Sequence, residues 1–518
     1  MRRLLGRIRN PLLALTPLAL AILLGDSGES AVAATAPSSI TFSDVTAEAG
    51  LPTTDLSTHG VQWGDYDQDG RLDLHMSTCH YGPWPRAALY HNNGDGTFTD
   101  EIIGSGLDRK FDRHGCAWGD YNADHWPDFF CAQGGQGSTS TISFDFLWSN
   151  NQEGTFTRIP YDVSGIDDPL GRGRVASWFD YDSDGYLDLF VGNGKRIDAT
   201  NRLYHNNGDG SFTDVSLASG LGITISTKSA SVADYDHDGY ADLVLGTYQG
   251  LRLFRNRQDG TFENATAATG LPGRGRFEGV TWGDYNNDGY LDLFVAQVGK
   301  TALLYKNTGS GSFVKVKPGT SGIQEINSNV GLWGDYNNDT WPDLFIVNRD
   351  DPITGANAPD TLYLNNGDGT FSNVAAAAGV TGPTKGWGDT AAWADFNNDG
   401  FLDIMVTNGD QNHPDDLYGP PVLYKNNGNG NHWLKIQPRM LSGGNYFGLG
   451  TKMWITVGGV TQYRELTDMT SLHQQNEQVV HFGLGAAQTV DEITVRWPDG
   501  QSETLSAIPA DQTLVITH

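Results

Sequence analysis

"WGDYDQDGRLDLHM", residues 63–76, places acidic side chains at 65, 67, 69 and 73 and a glycine at 70. Carboxylates packed this tightly repel one another unless a cation lies between them. A hard cation such as Ca2+ takes six to eight oxygen ligands from carboxylates and carbonyls. Asp65, Asp67 and Asp69 offer alternate side chains, Gly70 permits a sharp turn, and the Arg71 carbonyl and Asp73 close the shell. An EF-hand shares this opening but needs a glutamate at the twelfth position and a helix after it. The twelfth position here is Met76, and "RLDLHM" alternates as a strand does. The stretch therefore reads as a metal-binding turn within a β-hairpin.

The turn recurs. Its first aspartate falls at 65, 120, 180, 234, 284, 335 and 395, at spacings of 50 to 60 residues. A second signature follows in each unit, as in "LYHNNGDGTFTD" (89–100) and "LYLNNGDGTFSN" (362–373). Asn-Gly and Asp-Gly between apolar runs are hairpin turns. Seven units of about fifty residues, each with four short strands, predict an all-β chain: a seven-bladed β-propeller over 35–430 and a small β domain over 431–518. "ITFSDVTAEAGL" (40–51) resembles a fourth strand placed before the first unit, whereas "LYKNNGNG" (423–430) has no fourth strand after it. The N-terminal strand is expected to complete the last blade and leave no free sheet edge.

The predicted metal ligands in turns one to four are Asp65, Asp67, Asp69, Asp73; Asp120, Asn122, Asp124, Asp128; Asp180, Asp182, Asp184, Asp188; and Asp234, Asp236, Asp238, Asp242. Those in turns five to seven are Asp284, Asn286, Asp288, Asp292; Asp335, Asn337, Asp339, Asp343; and Asp395, Asn397, Asp399, Asp403. Up to seven Ca2+ ions are expected. Turns two and six carry His125 and Thr340 in place of the glycine but keep every liganding position.

These units resemble FG-GAP/VCBS repeats, the blades of integrin-α-like propellers. The tail, with "YFGLGTKMWITVGG" (446–459), "LHQQNEQVVHFGLG" (472–485) and "DEITVRWPDG" (491–500), resembles an ASPIC/UnbV domain. Together they look like the cartilage acidic protein-like family. The resemblance implies the propeller fold and calcium binding, and names no reaction.

Residues 1–34 read as a signal peptide: Arg2, Arg3, Arg7 and Arg9 precede the apolar "PLLALTPLALAILL", and small residues follow. The chain is expected to be secreted, periplasmic or at the cell surface, with no membrane span after cleavage. A formal charge of −29 argues against nucleic acid as a partner. Cys116 and Cys131 flank the second turn and could pair, with Cys79 as another candidate partner; free thiols remain open.

The metal turns all join first to second strands and so share one face. Longer, irregular loops share the other. Six residues before each first aspartate stand His59, His114, Arg174, Lys228, Glu278, Asn329 and Asp389, all polar. Arg172, Arg276 and Trp387 lie two residues further out, and Arg113 and Arg274 add to the basic set. Seven-fold repetition predicts a polar ring at the channel mouth. Within it, Arg172, Arg174, Lys228, Arg276, Asn329 and Trp387 are the candidate ligand-binding residues, and His59, His114, Glu278 and Asp389 the candidate acid–base groups. The leading expectation is an exported calcium-binding module that binds or adheres to an extracellular protein, glycan or anionic small molecule. The alternative is a lyase, hydrolase or cyclase working in a polar funnel on that face. The polar run "HQQNEQ" (473–478) is read as a turn or a small binding site.

Overall fold

Strand 1 of each repeat is buried along almost its whole length, as in Thr58–Gly64 and Arg113–Gly119, rather than on alternate residues. That is the pattern of a sheet covered on both faces, as a blade is by its two neighbours. The computed structural model describes residues 40–54, 58–78, 87–108, 113–134, 145–169, 171–194, 200–317, 319–324, 327–349, 358–383, 388–409, 419–468 and 470–518. The predicted leader, Cys79 and Trp387 lie outside the described residues.

Blade 1 is an antiparallel meander of Thr58–Gly64, Asp73–Thr78, Ala88–Asn92 and Phe98–Asp100. Five more such sheets follow, with inner strands Arg113–Gly119, Gly173–Phe179, Thr227–Ala233, Phe277–Gly283 and Ser328–Gly334. Blade 7 takes Thr390–Ala394, Asp403–Thr407 and Val422–Asn426 from the end of the repeats and Phe42–Asp44 from the N-terminal side, with Phe42 opposite Asn426. The inner strands touch in sequence order and close with Thr58–Gly64 against Thr390–Ala394. The fold is thus almost entirely β and forms a seven-bladed ring.

Two repeated devices join the blades. The asparagine ending each third strand donates its Nδ2 to a carbonyl in the metal turn of the preceding blade. Asn150 donates to Tyr66 at 2.8 Å, Asn206 to Tyr121 at 2.8 Å, and Asn92 across the closure to Phe396 at 2.9 Å. In blades 1, 2 and 5 the glycine before the first aspartate lets the next blade's tryptophan lie on the backbone. A Cβ on Gly64 would stand 2.8 Å from Trp118, and one on Gly119 would stand 2.7 Å from Trp178. Cys116 and Cys131 oppose each other in blade 2 and form a disulfide.

The C-terminal segment folds as two sheets. His432–Arg439 lies between Val480–Gly485 and Gln512–Thr517 in one; Val460–Glu465, Lys452–Val457, Thr489–Arg496 and Ser502–Pro509 form the other. Its core, including Ile436, Met453, Ile455, Phe482, Ile493 and Val495, is continuous with apolar side chains of blade 3. No helix among the described residues is long and apolar enough to cross a membrane.

Candidate functional site

The seven acidic turns share one hydrogen-bond scheme. The two carboxylate oxygens of the first aspartate accept the amides of the fifth and sixth residues. In turn 3, Asp180 accepts from Asp184 at 3.1 Å and from Gly185 at 2.9 Å. His125 and Thr340 adopt the left-handed conformation of the glycine they replace (φ 73° and 88°), so turns 2 and 6 keep the same scheme. The ninth-position aspartate accepts the amide of the third-strand asparagine, from Asp73 with Asn92 at 2.9 Å to Asp403 with Asn426 at 2.7 Å. The aspartates that enclose each turn are therefore fixed by backbone donors, while side chains between them point into the turn. Asp182 Oδ1, Asp236 Oδ1 and Asp403 Oδ2 are buried with no hydrogen-bond partner among the described residues.

Such crowding raises carboxyl pKa values, because burial and like charge both penalise the ionised form. Burial, aided by the carboxylates beside it, pushes Asp65 up to about 6 and Asp120 to about 7. Burial with repulsion from Asp188 takes Asp180 to about 8. An all-oxygen donor set with unpartnered anionic oxygens fits a hard divalent cation. Third-strand side chains reach the same carboxylates in four blades. His91 lies 3.2 Å from Asp67, His205 is 3.3 Å from Asp182 and Asp188, Arg255 is 2.7 Å from Asp236, and Lys306 is 3.0 Å from Asp288. A hydrogen bond to Asp188 raises the His205 pKa to about 9.

The C-terminal domain covers this acidic face, an arrangement no sequence pattern foretold. Lys452 Nζ lies 2.9 Å from Asp234 in turn 4, and Lys435 Nζ lies 2.7 Å from Asp395 in turn 7; both lysines are buried. Each takes the carboxylate oxygen already bonded to the turn glycine, leaving the other oxygen toward the turn. The Arg464 charge acts on Asp284 and Asp335. Gly444 donates to Gly185 in turn 3 at 2.7 Å, Gly485 donates to Asn338 in turn 6 at 2.7 Å, and Tyr446 stacks on His125 in turn 2. Beside turn 1 the cover leaves a cleft lined by Asp65 and Arg71 on the propeller side and by Trp433, Arg439, Tyr446 and Phe447 on the other.

From this domain residues 465–468 and 470–478 enter the central channel as a finger. The strand ending at Glu465 runs inward, the chain turns at Leu472–His473, and Gln474–Gln475 returns parallel to the inner strand of blade 1. Polar groups of the finger meet backbone amides of six blades. Asp468 accepts from Trp178 at 2.9 Å, Gln475 from Trp118 at 2.8 Å, Asn476 from Trp393 at 3.0 Å, and the Ser471 hydroxyl from Val280 at 3.3 Å. The His473 carbonyl accepts from Val61 at 3.2 Å, and the Ser471 carbonyl from Ala230 at 3.4 Å. "HQQNEQ" is thus the return limb of a plug.

The predicted polar ring is present among the described residues, and the finger reaches its centre. The finger occupies the channel but leaves a cavity against the inner strands of blades 4 to 7, lined by Ala233, Trp282, Leu332, Trp393, Thr470 and Gln474, and ring members pair with their neighbours. His59 Nδ1 meets Asp389, Arg174 Nη1 lies 2.8 Å from His114 Nδ1, Lys228 lies 3.5 Å from Glu278, and Asn329 donates to the Asp389 carbonyl. His59, His114, Glu278, Asn329 and Asp389 are all buried. Arg172 donates to the Gly134 carbonyl, and Arg276 lies on the Tyr248 ring at 4.5 Å. Arg113 does not join this set: it is buried beside His75 and over Trp148, and burial lowers its pKa to about 9. The member that sequence reasoning missed is His473, which the finger brings against His59 and His114. Its only sequence signal was its place at the head of a polar run.

The family model described as FG-GAP-like repeat matches residues 120–191, 180–245, 234–295, 286–346 and 335–406, more than half of the chain. The model described as ASPIC and UnbV matches residues 441–518. Cartilage acidic protein 1 of Xenopus tropicalis is 23% identical over 467 residues, which are 86% of this chain and 62% of that protein. The Homo sapiens protein of the same name is 25% identical over 318 residues, covering 61% of this chain and 39% of its own length. The chain thus spans less than two thirds of the length of these relatives. A solved Agrocybe aegerita lectin that recognises non-reducing terminal N-acetylglucosamine is 18% identical, with a TM-score of 0.39, over 63% of this chain and 81% of its own.

Proposed function

Because the chain belongs to the FG-GAP-like repeat family and carries an ASPIC and UnbV domain, we propose that it is an exported, calcium-dependent binding module for an extracellular ligand. The carrying observation is the set of buried, unpartnered carboxylate oxygens in turns 3, 4 and 7, within a donor set made of oxygen alone. The first, third, fifth and ninth positions of each turn hold Ca2+. The bound ion supplies fixed positive charge that relieves the carboxylate repulsion and stiffens the hairpin.

The ligand seat in this reading is the cleft beside turn 1. Trp433, Tyr446 and Phe447 offer ring faces, and Arg71, Arg439 and Asp65 offer charge and hydrogen bonds at the edges. That combination suits a glycan bearing acidic groups, since aromatic faces take sugar rings and arginines take carboxylate or sulfate. Extracellular placement is supported by the disulfide between Cys116 and Cys131 and by the likeness to cartilage acidic protein 1.

The test is an array of acidic and neutral glycans probed with Ca2+ and with chelator, using wild type and Trp433→Ala. The reading expects calcium-dependent binding of acidic glycans that Trp433→Ala reduces at least tenfold. Binding that survives both chelation and Trp433→Ala would overturn it.

A further inference from the structure

His59, His114 and His473 come from three distant stretches of chain and converge at the channel end opposite the acidic turns. The ring centroids lie 4.5 Å apart for His59 and His114, 4.2 Å for His59 and His473, and 5.3 Å for His114 and His473. One nitrogen from each can be chosen so that all lie within 4.8 Å of one another. The residues are 6%, 1% and 3% exposed. Both ring nitrogens of His473, and Nε2 of His59, have no hydrogen-bond partner among the described residues. Burying polar nitrogen without a partner is costly, and proteins seldom leave it so unless another group occupies the space. The finger also holds His473 at φ 58°, a left-handed conformation uncommon for a residue with a side chain.

We propose that His59, His114 and His473 form a three-nitrogen site for a borderline divalent transition ion of the Zn2+ or Cu2+ class, completed only when the finger is seated. Imidazole nitrogen suits these ions and is a poor ligand for Ca2+, so the site is chemically separate from the acidic turns. Asp389 lies against Nδ1 of His59. A carboxylate on one ring nitrogen fixes the tautomer that offers the other nitrogen to a metal. Three protein nitrogens leave a fourth position for water or an anionic group. Tetrahedral coordination needs ligand nitrogens about 3.3 Å apart, so from separations within 4.8 Å the rings close by at most about 1.5 Å on binding. Arg174, whose Nη1 lies 2.8 Å from Nδ1 and 3.1 Å from Nε2 of His114, opposes the ion by charge and turns aside when it binds. Arg174 is half-buried.

The experiment uses untagged full-length protein saturated with Ca2+, which occupies the oxygen sites. The protein is loaded with Zn2+, passed over chelating resin and assayed by mass spectrometry of the metals. Wild type is expected to retain one equivalent of zinc. His473→Gln and His114→Gln are expected to lose at least nine tenths of it, and Arg174→Ala to bind about tenfold more tightly. X-ray absorption on zinc-loaded wild type provides a readout that does not depend on a variant folding, with an expected shell of three imidazole nitrogens at about 2.0 to 2.1 Å. Wild type that retains no zinc, an oxygen-dominated shell, or undiminished zinc in folded His473→Gln would each overturn the proposal.

Discussion

The two faces of this propeller are built on opposite terms. On the acidic face one turn occurs seven times, and equivalent residues do the same work in each: the first aspartate takes two amides, and the third-strand asparagine ties one blade to the last. On the other face seven equivalent positions carry His, His, Arg, Lys, Glu, Asn and Asp, and they interact as unlike neighbours around a ring. Repetition builds the frame, and departures from it provide the only places where chemistry can differ from blade to blade. The C-terminal domain joins the two, covering the repeated face while its finger reaches the unrepeated one.

Removing metal from the repeated face is expected to have the largest effect. Each site held at a hundred times its Kd adds about 2.7 kcal/mol, so excess chelator should lower Tm by many degrees. The metal-free protein should also acquire a pH slope. Asp65, Asp120 and Asp180, at about 6, 7 and 8, titrate above the ordinary 3.8, so the folded state binds their protons more tightly than the unfolded state. Stability in chelator therefore falls as pH rises from about 4 to about 8, and Ca2+ removes that slope. A Tm indifferent to chelator after confirmed metal loss would mean that the third-strand cations alone neutralise the turns.

The cover over that face comes next. Lys435 is buried against Asp395 and Glu477. Lys435→Ala leaves two buried carboxylates without their cation and should cost about 3 to 5 kcal/mol in denaturant unfolding. A loss under about 1 kcal/mol would show that the cover is not anchored there. Asn206→Ala, which removes Nδ2 donation to the Tyr121 and Leu187 carbonyls, should cost about 1 to 3 kcal/mol. The smallest effect belongs to an exposed pair, Arg257 and Glu263 on blade 4. Arg257→Ala should change stability by less than about 1 kcal/mol.

What repeats was legible in the sequence. The blade count, the turns, the closure by residues 42–44 and the polar ring all follow from comparing equivalent positions. Even the interblade asparagine was there to be read, at the same offset in "LYHNN", "LFRNR" and "LYKNT". What occurs once was not legible. Lys435, Lys452 and His473 act on residues that lie 40, 218 and 414 positions away in sequence, at Asp395, Asp234 and His59. Neither spacing nor composition encodes such a meeting; it needs the docking of one folded unit on another. The finger was hidden for the same reason, because an aligned ring of polar positions does not reveal what enters its centre.

Hydrogen exchange across residues 465–478, in calcium-loaded protein at neutral pH, tests most directly whether the finger is seated. If it is, this segment exchanges as slowly as the inner strands Arg113–Gly119 and Gly173–Phe179 that it bonds, and Asp468→Ala speeds exchange in both the segment and its partners. Exchange of residues 465–478 at the rate of a solvent loop, with those inner strands still protected, would contradict the plugged channel and leave the two faces unconnected.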